Sequence, residues 1–179
     1  NMVGLPYMAH CEDHDLSRGG AMNEGYTSTT LGIPGIPKAC EEIAIARNIR
    51  LAWMTGAHLH IQHVTTAEGI DTIRNYKKKG VRLTCEAAPH HWALTDDAVR
   101  SFNTNAKMNP PLREQIDCDG IIAGIKDGRV DCIATDHALV HASVMDEFLD
   151  HYGRAVRRAY GEDPQRSPHF ARLVNDRRF

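Results

Sequence analysis

The chain has 179 residues, 42% hydrophobic and 25% charged, enough for a domain with a real core and unlike the composition of a disordered segment. Lysine and arginine number 21 against 23 acidic residues, a net charge of -2 with no long basic run, so nucleic acid is not an expected partner. No apolar run approaches the ~20 residues of a membrane helix, and the chain opens with neither a charged n-region nor an apolar h-region; the expectation is a soluble, cytoplasmic protein with no membrane partner.

Residues 2–9, MVGLPYMA, read as a short buried strand that stops at the polar cluster HCEDHD. A glycine-rich loop follows, through GGAMNEGYTSTTLGIPGIP. Pro37 then stands where a first helical turn starts, and Ile43, Ala46, Ile49 and Ala52 recur at helical spacing up to Gly56. The cycle repeats with AHLHIQHV (57–64) as a strand, TTAEGIDTIRNYKKKG (65–80) as a helix and VRLTCEAAP (81–89) as the next strand. After a long polar loop holding KMNPPLR come a helix, EQIDCDGIIAGIKDG (114–128), and a fourth strand, VDCIATDH (130–137). Strands alternating with helices imply parallel β/α units, and polar residues gathered at the strands' C-terminal ends favour a TIM-like barrel over a doubly wound sheet. The fold class is therefore α/β, a partial TIM-like (β/α)8 barrel of about four units. From Leu139 the repeat stops. SVMDEFLDHYGRAVRRAYG instead places Val144, Phe148, Tyr152, Val156 and Tyr160 on one helical face, ahead of a polar end.

Five cysteines without a CxxC pair fit reduced thiols. Eleven histidines are the unusual feature. Three strand ends offer His10, His63 and Asp136, residue types that ligate a catalytic zinc while leaving a position for water. A structural histidine held by hydrogen bonds is the commoner fate of any one of them. Strand alternation puts His58 and His60 on the face opposite His63, as packing or hydrogen-bonding residues. At least one of His90 and His91 reads as structural, Cys132 as a buried inert thiol, and the lysines of KKKG as a solvated helix end.

The segments HCED, LGIPGIP, TGAHLHIQHVTT, CEAAPHH, KMNPPLR and DGRVDCIATDHA occur in that order, and over residues 1–138 they resemble the second half of a bacterial-type dihydroorotase, a member of the amidohydrolase superfamily. The resemblance implies a binuclear zinc site at the mouth of a (β/α)8 barrel. By its motifs, His10 resembles the fifth-strand metal ligand, His63 the sixth-strand ligand, and Asp136 the eighth-strand ligand that is also the general base, while Asn109 resembles a substrate-contacting residue. The implied small-molecule reaction is the reversible closure of N-carbamoyl-L-aspartate to dihydroorotate, in pyrimidine biosynthesis.

Departures from the pattern accompany the matches. The family's first-strand His-x-His and fourth-strand bridging ligand precede anything in this chain, and Leu139 and Val140 stand where Pro-His is expected. The ligands present support one zinc. The tail, 139–179, resembles a segment of a class 3 aldehyde dehydrogenase that begins just beyond the nucleophilic cysteine, and CIATD (132–136) fits both families. The expectation is a chimera joined between residues 132 and 139, with a partial barrel over 1–138 and a helical tail over 139–179. An open half-barrel exposes strand edges and so invites association with a second copy or with a complementing barrel half. Three functional readings follow: a dihydroorotase-like zinc hydrolase with half its metal shell absent, a non-catalytic zinc-binding or inert barrel fragment, and another cyclic amidohydrolase of the hydantoinase or allantoinase type.

Overall fold

A computed structural model of the chain describes residues 5–134 and, beyond them, Asp150, Arg154 and Arg157. The chain divides into two units after residue 136. Of the second unit, the three described residues are helical, with Asp150 paired to Arg154. The expected apolar face from Val144 to Tyr160, the rest of the expected tail and Asp136 lie outside the described residues, as does the part of the expected seam beyond Ala134.

The first unit runs β1 (Tyr7–Ala9), α1 (His14–Ser17), β2 (Met22–Asn23), α2 (Tyr26–Leu31), β3 (Gly35–Ile36), α3 (Ala39–Thr55), β4 (Leu59–Ile61), α4 (Ala67–Lys78), β5 (Leu83–Ala87), α5 (His90–Ala93), α6 (Gln115–Lys126) and β6 (Cys132–Ile133). Four strands form one parallel sheet in the order β1-β4-β5-β6. Sequence-successive strands separated by helices pair in parallel because only a crossover can return the chain in the same direction. This is the expected run of β/α units. The segment read as a glycine-rich loop also carries α2 and a second, two-stranded parallel pair, β2 with β3.

Along β5 the residues alternate in environment. Leu83, Cys85 and Ala87 are buried, while Thr84 and Glu86 stand on the other face. The buried set joins Leu59 and Ile61 of β4, Ala44, Ile45, Ile49 and Ala52 of α3, Ile70 and Ile73 of α4 and Ile121 of α6 in one core. The helices thus cover one face of the sheet and leave the other lined by polar side chains. Where α6 meets α4, a Cβ added to Gly120 would lie 2.5 Å from the Ala67 Cβ, so a glycine lets the two helices approach.

Helix ends follow the local chemistry. Thr66 caps α4 by accepting from the Gly69 N–H at 3.1 Å, Glu68 stands in its first turn and Lys77 and Lys78 in its last. Lys77 is not simply solvated, as the KKKG reading expects: its Nζ donates to the Arg129 carbonyl at 2.8 Å and to Asp131 at 2.5 Å. The face expected on α3 is also displaced. Ile43 and Ala46 are exposed, and Cys40, Ala44, Ile45, Ile49 and Ala52 point inward. Apolar residues occur all round this helix, so spacing alone does not select the face that packs.

Candidate metal and substrate site

β1 ends at Ala9, and the next residues alternate. Cys11 turns into the core, which leaves His10 and Glu12 on the opposite side. Asp13 caps α1 by accepting from the N–H groups of Asp15 and Leu16, and this turn brings Ser17 back to Glu12. At the end of β4, the Gln62 N–H donates to the Ala9 carbonyl and the Val64 N–H to the Glu86 carbonyl, which fixes the residue between them. That residue, His63, has a left-handed backbone (φ 36), a conformation costly for a side chain with a Cβ.

These constraints converge on one cluster. His10 Nδ1 lies 2.9 Å from His63 Nε2, with the rings edge to face. The other His10 nitrogen, Nε2, is 2.7 Å from Glu12 Oε2. Glu12 further accepts from Ser17 Oγ at 2.5 Å and from Asn109 Nδ2 at 3.1 Å. Burial pushes the Glu12 carboxyl upward, but the hydrogen bonds from Ser17, His10 and Asn109 and the charge of His10 outweigh it and hold the group at about 2. Glu12 is therefore a carboxylate at neutral pH. It lies against His10 Nε2, so Nδ1 is the His10 nitrogen that faces His63, the arrangement in which a carboxylate orients a metal-ligating imidazole.

Three of the four residues singled out in the sequence, His10, His63 and Asn109, thus meet in one cluster, and the fourth, Asp136, lies outside the described residues. Two nitrogens on one tetrahedral zinc, each at about 2.0–2.1 Å, stand about 3.4 Å apart, so the His10–His63 pair fits a shared ion with a parting of about half an ångström. Sequence reading passed over Glu12 and Ser17. Glu12 had a signal, since the spacing His-x-Glu after a strand puts both side chains on one face, whereas Ser17 depends on the α1 turn.

Alternation does not place His60 and His63 on opposite sides. β4 ends at Ile61, and the left-handed turn at His63 resets the direction of the chain, so both imidazoles act on Glu86. Glu86 is held below the usual carboxylate range first by the hydrogen bond from His60, despite burial, and also by the charges of His60 and His63. His58 and His60 do make hydrogen bonds, both to Thr84 Oγ1, at 3.0 and 2.9 Å. His91 is buried, with Nε2 donating to the Pro110 carbonyl at 3.0 Å. Cys132 is exposed, contrary to the expected buried thiol, because it stands on the polar face of the sheet beside Glu86. Partial burial and the negative charges of Glu86 and Asp131 push its thiol upward, the opposite of an activated nucleophile.

Among known proteins, residues 4–69 match the family model described as dihydro-orotase-like. The dihydroorotase of Trichlorobacter lovleyi is 55% identical over 144 residues, 80% of this chain and 34% of its own length. That of Pelobacter propionicus is 56% identical over 142 residues, 79% of this chain and 34% of its own. Among solved structures, a D-hydantoinase (dihydropyrimidinase) from Thermus sp. matches with a TM-score of 0.63 at 22% identity, over 79% of this chain and 32% of that one. A dihydroorotase from Campylobacter jejuni matches with a TM-score of 0.55 at 16% identity, over 84% and 41%. The structural likenesses show the barrel fold alone, and the sequence identities of 55% and 56% are to dihydroorotases. The matched part of this chain is similar to part of the dihydroorotases and spans about a third of the length of the curated relatives it matches.

Proposed function

We propose that the chain carries part of a dihydroorotase-type active site, which hydrolyses the cyclic amide of dihydroorotate and runs in reverse to close N-carbamoyl-L-aspartate. The observation that carries this reading is the approach of His10 Nδ1 to His63 Nε2 at the C-terminal ends of adjacent parallel strands, with Glu12 orienting His10. His10 and His63, with Asp136, would hold zinc. When bound, the metal supplies a Lewis acid for the amide carbonyl and activates water at neutral pH. In the hydrolytic direction Asp136 accepts a proton as water adds to the ring carbonyl, then returns it to the ring nitrogen as the C–N bond breaks. Asn109 positions the substrate beside the histidines, and Glu12 holds both it and His10 in place. The five free cysteines suit a reducing, cytoplasmic setting.

One observation favours a non-catalytic second reading: among the described residues this cluster joins two histidines and no third ligand. Zinc per chain and dihydroorotate turnover, measured on the same monodisperse sample with hydantoin as competitor, separate the two. The enzyme reading expects zinc per chain to fall in His10→Ala and His63→Ala, preference for dihydroorotate, and a fall in kcat of about 10²–10⁴-fold in Asp136→Ala. Zinc at or below one per chain with no turnover leaves a metal-binding segment without catalysis. Preference for hydantoin overturns the substrate.

A further inference from the structure

Within the sheet itself, three neighbouring strands bring a different set of ligand atoms together. His60 lies in β4, Glu86 in β5 and Cys132 in β6, and the register places Glu86 directly beside Cys132. His60 Nε2 is 3.1 Å from Glu86 Oε2, Cys132 Sγ is 3.9 Å from the same oxygen, and all three ligand atoms lie within 4.8 Å of one another. We propose that His60, Glu86 and Cys132 form a second metal site, one that binds zinc or a similarly soft divalent ion through a thiolate, an imidazole and a carboxylate. Ligands at about 2.0–2.3 Å around a tetrahedral ion stand about 3.3–3.8 Å from one another, so small movements of the side chains suffice.

The surroundings prepare each ligand. Asp131 fixes the position of β6: its N–H donates to the Cys85 carbonyl at 2.9 Å and its carboxylate accepts from the Cys85 N–H at 2.7 Å. On His60, Nδ1 is tied to Thr84 Oγ1, which is tied in turn to His58 Nε2. Thr84 can donate its one proton to His58 and accept from His60 Nδ1. His60 Nε2 lies 3.1 Å from Glu86 Oε2 and donates to it; a cation that takes the place of that hydrogen between the two is held by both, with the proton released to solvent. Such a partner on the far nitrogen is the usual device for orienting a metal-bound histidine. The Cys132 thiol enters as the thiolate, with its S–H bond broken, an S–metal bond formed and the proton released to solvent.

This site differs from the His10–His63 cluster in containing sulfur, which gives it a signature of its own. Cobalt(II) bound by a thiolate shows a near-ultraviolet charge-transfer band that nitrogen and oxygen ligands do not give. The other four cysteines are buried, so the band reports on Cys132. Titration of the full chain with cobalt(II) should produce it. Cys132→Ser should abolish it with an unchanged far-ultraviolet circular dichroism spectrum, since the side chain is exposed. Thr84→Val, which frees His60 Nδ1, should weaken the cobalt affinity read from the band by roughly 10–100-fold. His10→Ala should leave it in place, so that loss of the dihydroorotase reading and loss of this one appear in separate variants. A band that survives Cys132→Ser, or saturation of the chain with cobalt without any band, overturns the proposal.

Discussion

His91 shows how much a single buried side chain can tell about pH. Its Nε2 donates to the Pro110 carbonyl, and desolvation, with the charge of neighbouring His90, pushes its pKa down to about 3. The unfolded chain, near 6.5, binds a proton that the folded chain refuses between those values, so the contribution of this residue is full above pH 6.5 and falls away as pH drops toward 3. In His91→Gln, which keeps a donor at the same reach and cannot titrate there, denaturant unfolding from pH 7 to 4 should lose stability less steeply than in the parent chain. Equal slopes would show that His91 binds its proton alike in the folded and the unfolded chain, so that its burial does not depress its pKa. At this scale the sequence revealed which residue types stand at strand ends, and His10, His63 and Asn109 do meet. It did not reveal that Glu12 ties His10 to Asn109, since that contact spans 97 positions and depends on the loop's fold.

Elements are tied together by polar bonds as well as by the apolar core. Arg113, at 1% exposure, donates from Nε to Thr65 Oγ1 at 3.2 Å and from Nη1 to Asn23 Oδ1 at 3.0 Å and the Ile36 carbonyl at 2.8 Å. Its Nη2 lies 3.8 Å from Glu41, which also accepts the Thr65 N–H and hydroxyl. One guanidinium thereby joins β2, β3, the start of α3 and the β4–α4 turn to the loop that carries Asn109. Full burial pushes the Glu41 carboxyl upward, against the attraction of Arg113, so the pair is held by partners that cannot be removed singly without cost. Arg113→Ala should lower unfolding free energy by about 3–5 kcal/mol, because it leaves a buried carboxylate unpaired. The double variant Arg113→Met with Glu41→Leu should recover most of that loss. If the single change costs under about 1 kcal/mol, the loop is anchored elsewhere. KMNPPLR was legible as a motif; that its arginine braces the loop rather than meeting a ligand follows only from burial, which sequence does not display.

For the first unit as a whole, the alternation of strands and helices was enough to anticipate a parallel sheet, because two adjacent parallel strands require a crossover. The β2–β3 pair between β1 and β4 was not legible, since that insertion read as a glycine-rich loop. The resulting sheet places helices on one face, and on the other Thr84, Glu86 and Cys132, with exposed Met8 opposite His60 in the register. At its edge β1 pairs only with β4 among the described residues, and Leu5, Tyr7 and Met8 are each more than half exposed. An edge that is paired on one side only among the described residues, and that carries exposed apolar side chains, is a template for another chain. We therefore expect self-association, seen as a weight-average mass that rises with concentration in sedimentation equilibrium. Met8→Lys, which sets a charge on the open face without removing a core contact, should shift that rise to higher concentration. A mass of one chain at all concentrations, unchanged by Met8→Lys, would mean that the edge is covered within the chain itself.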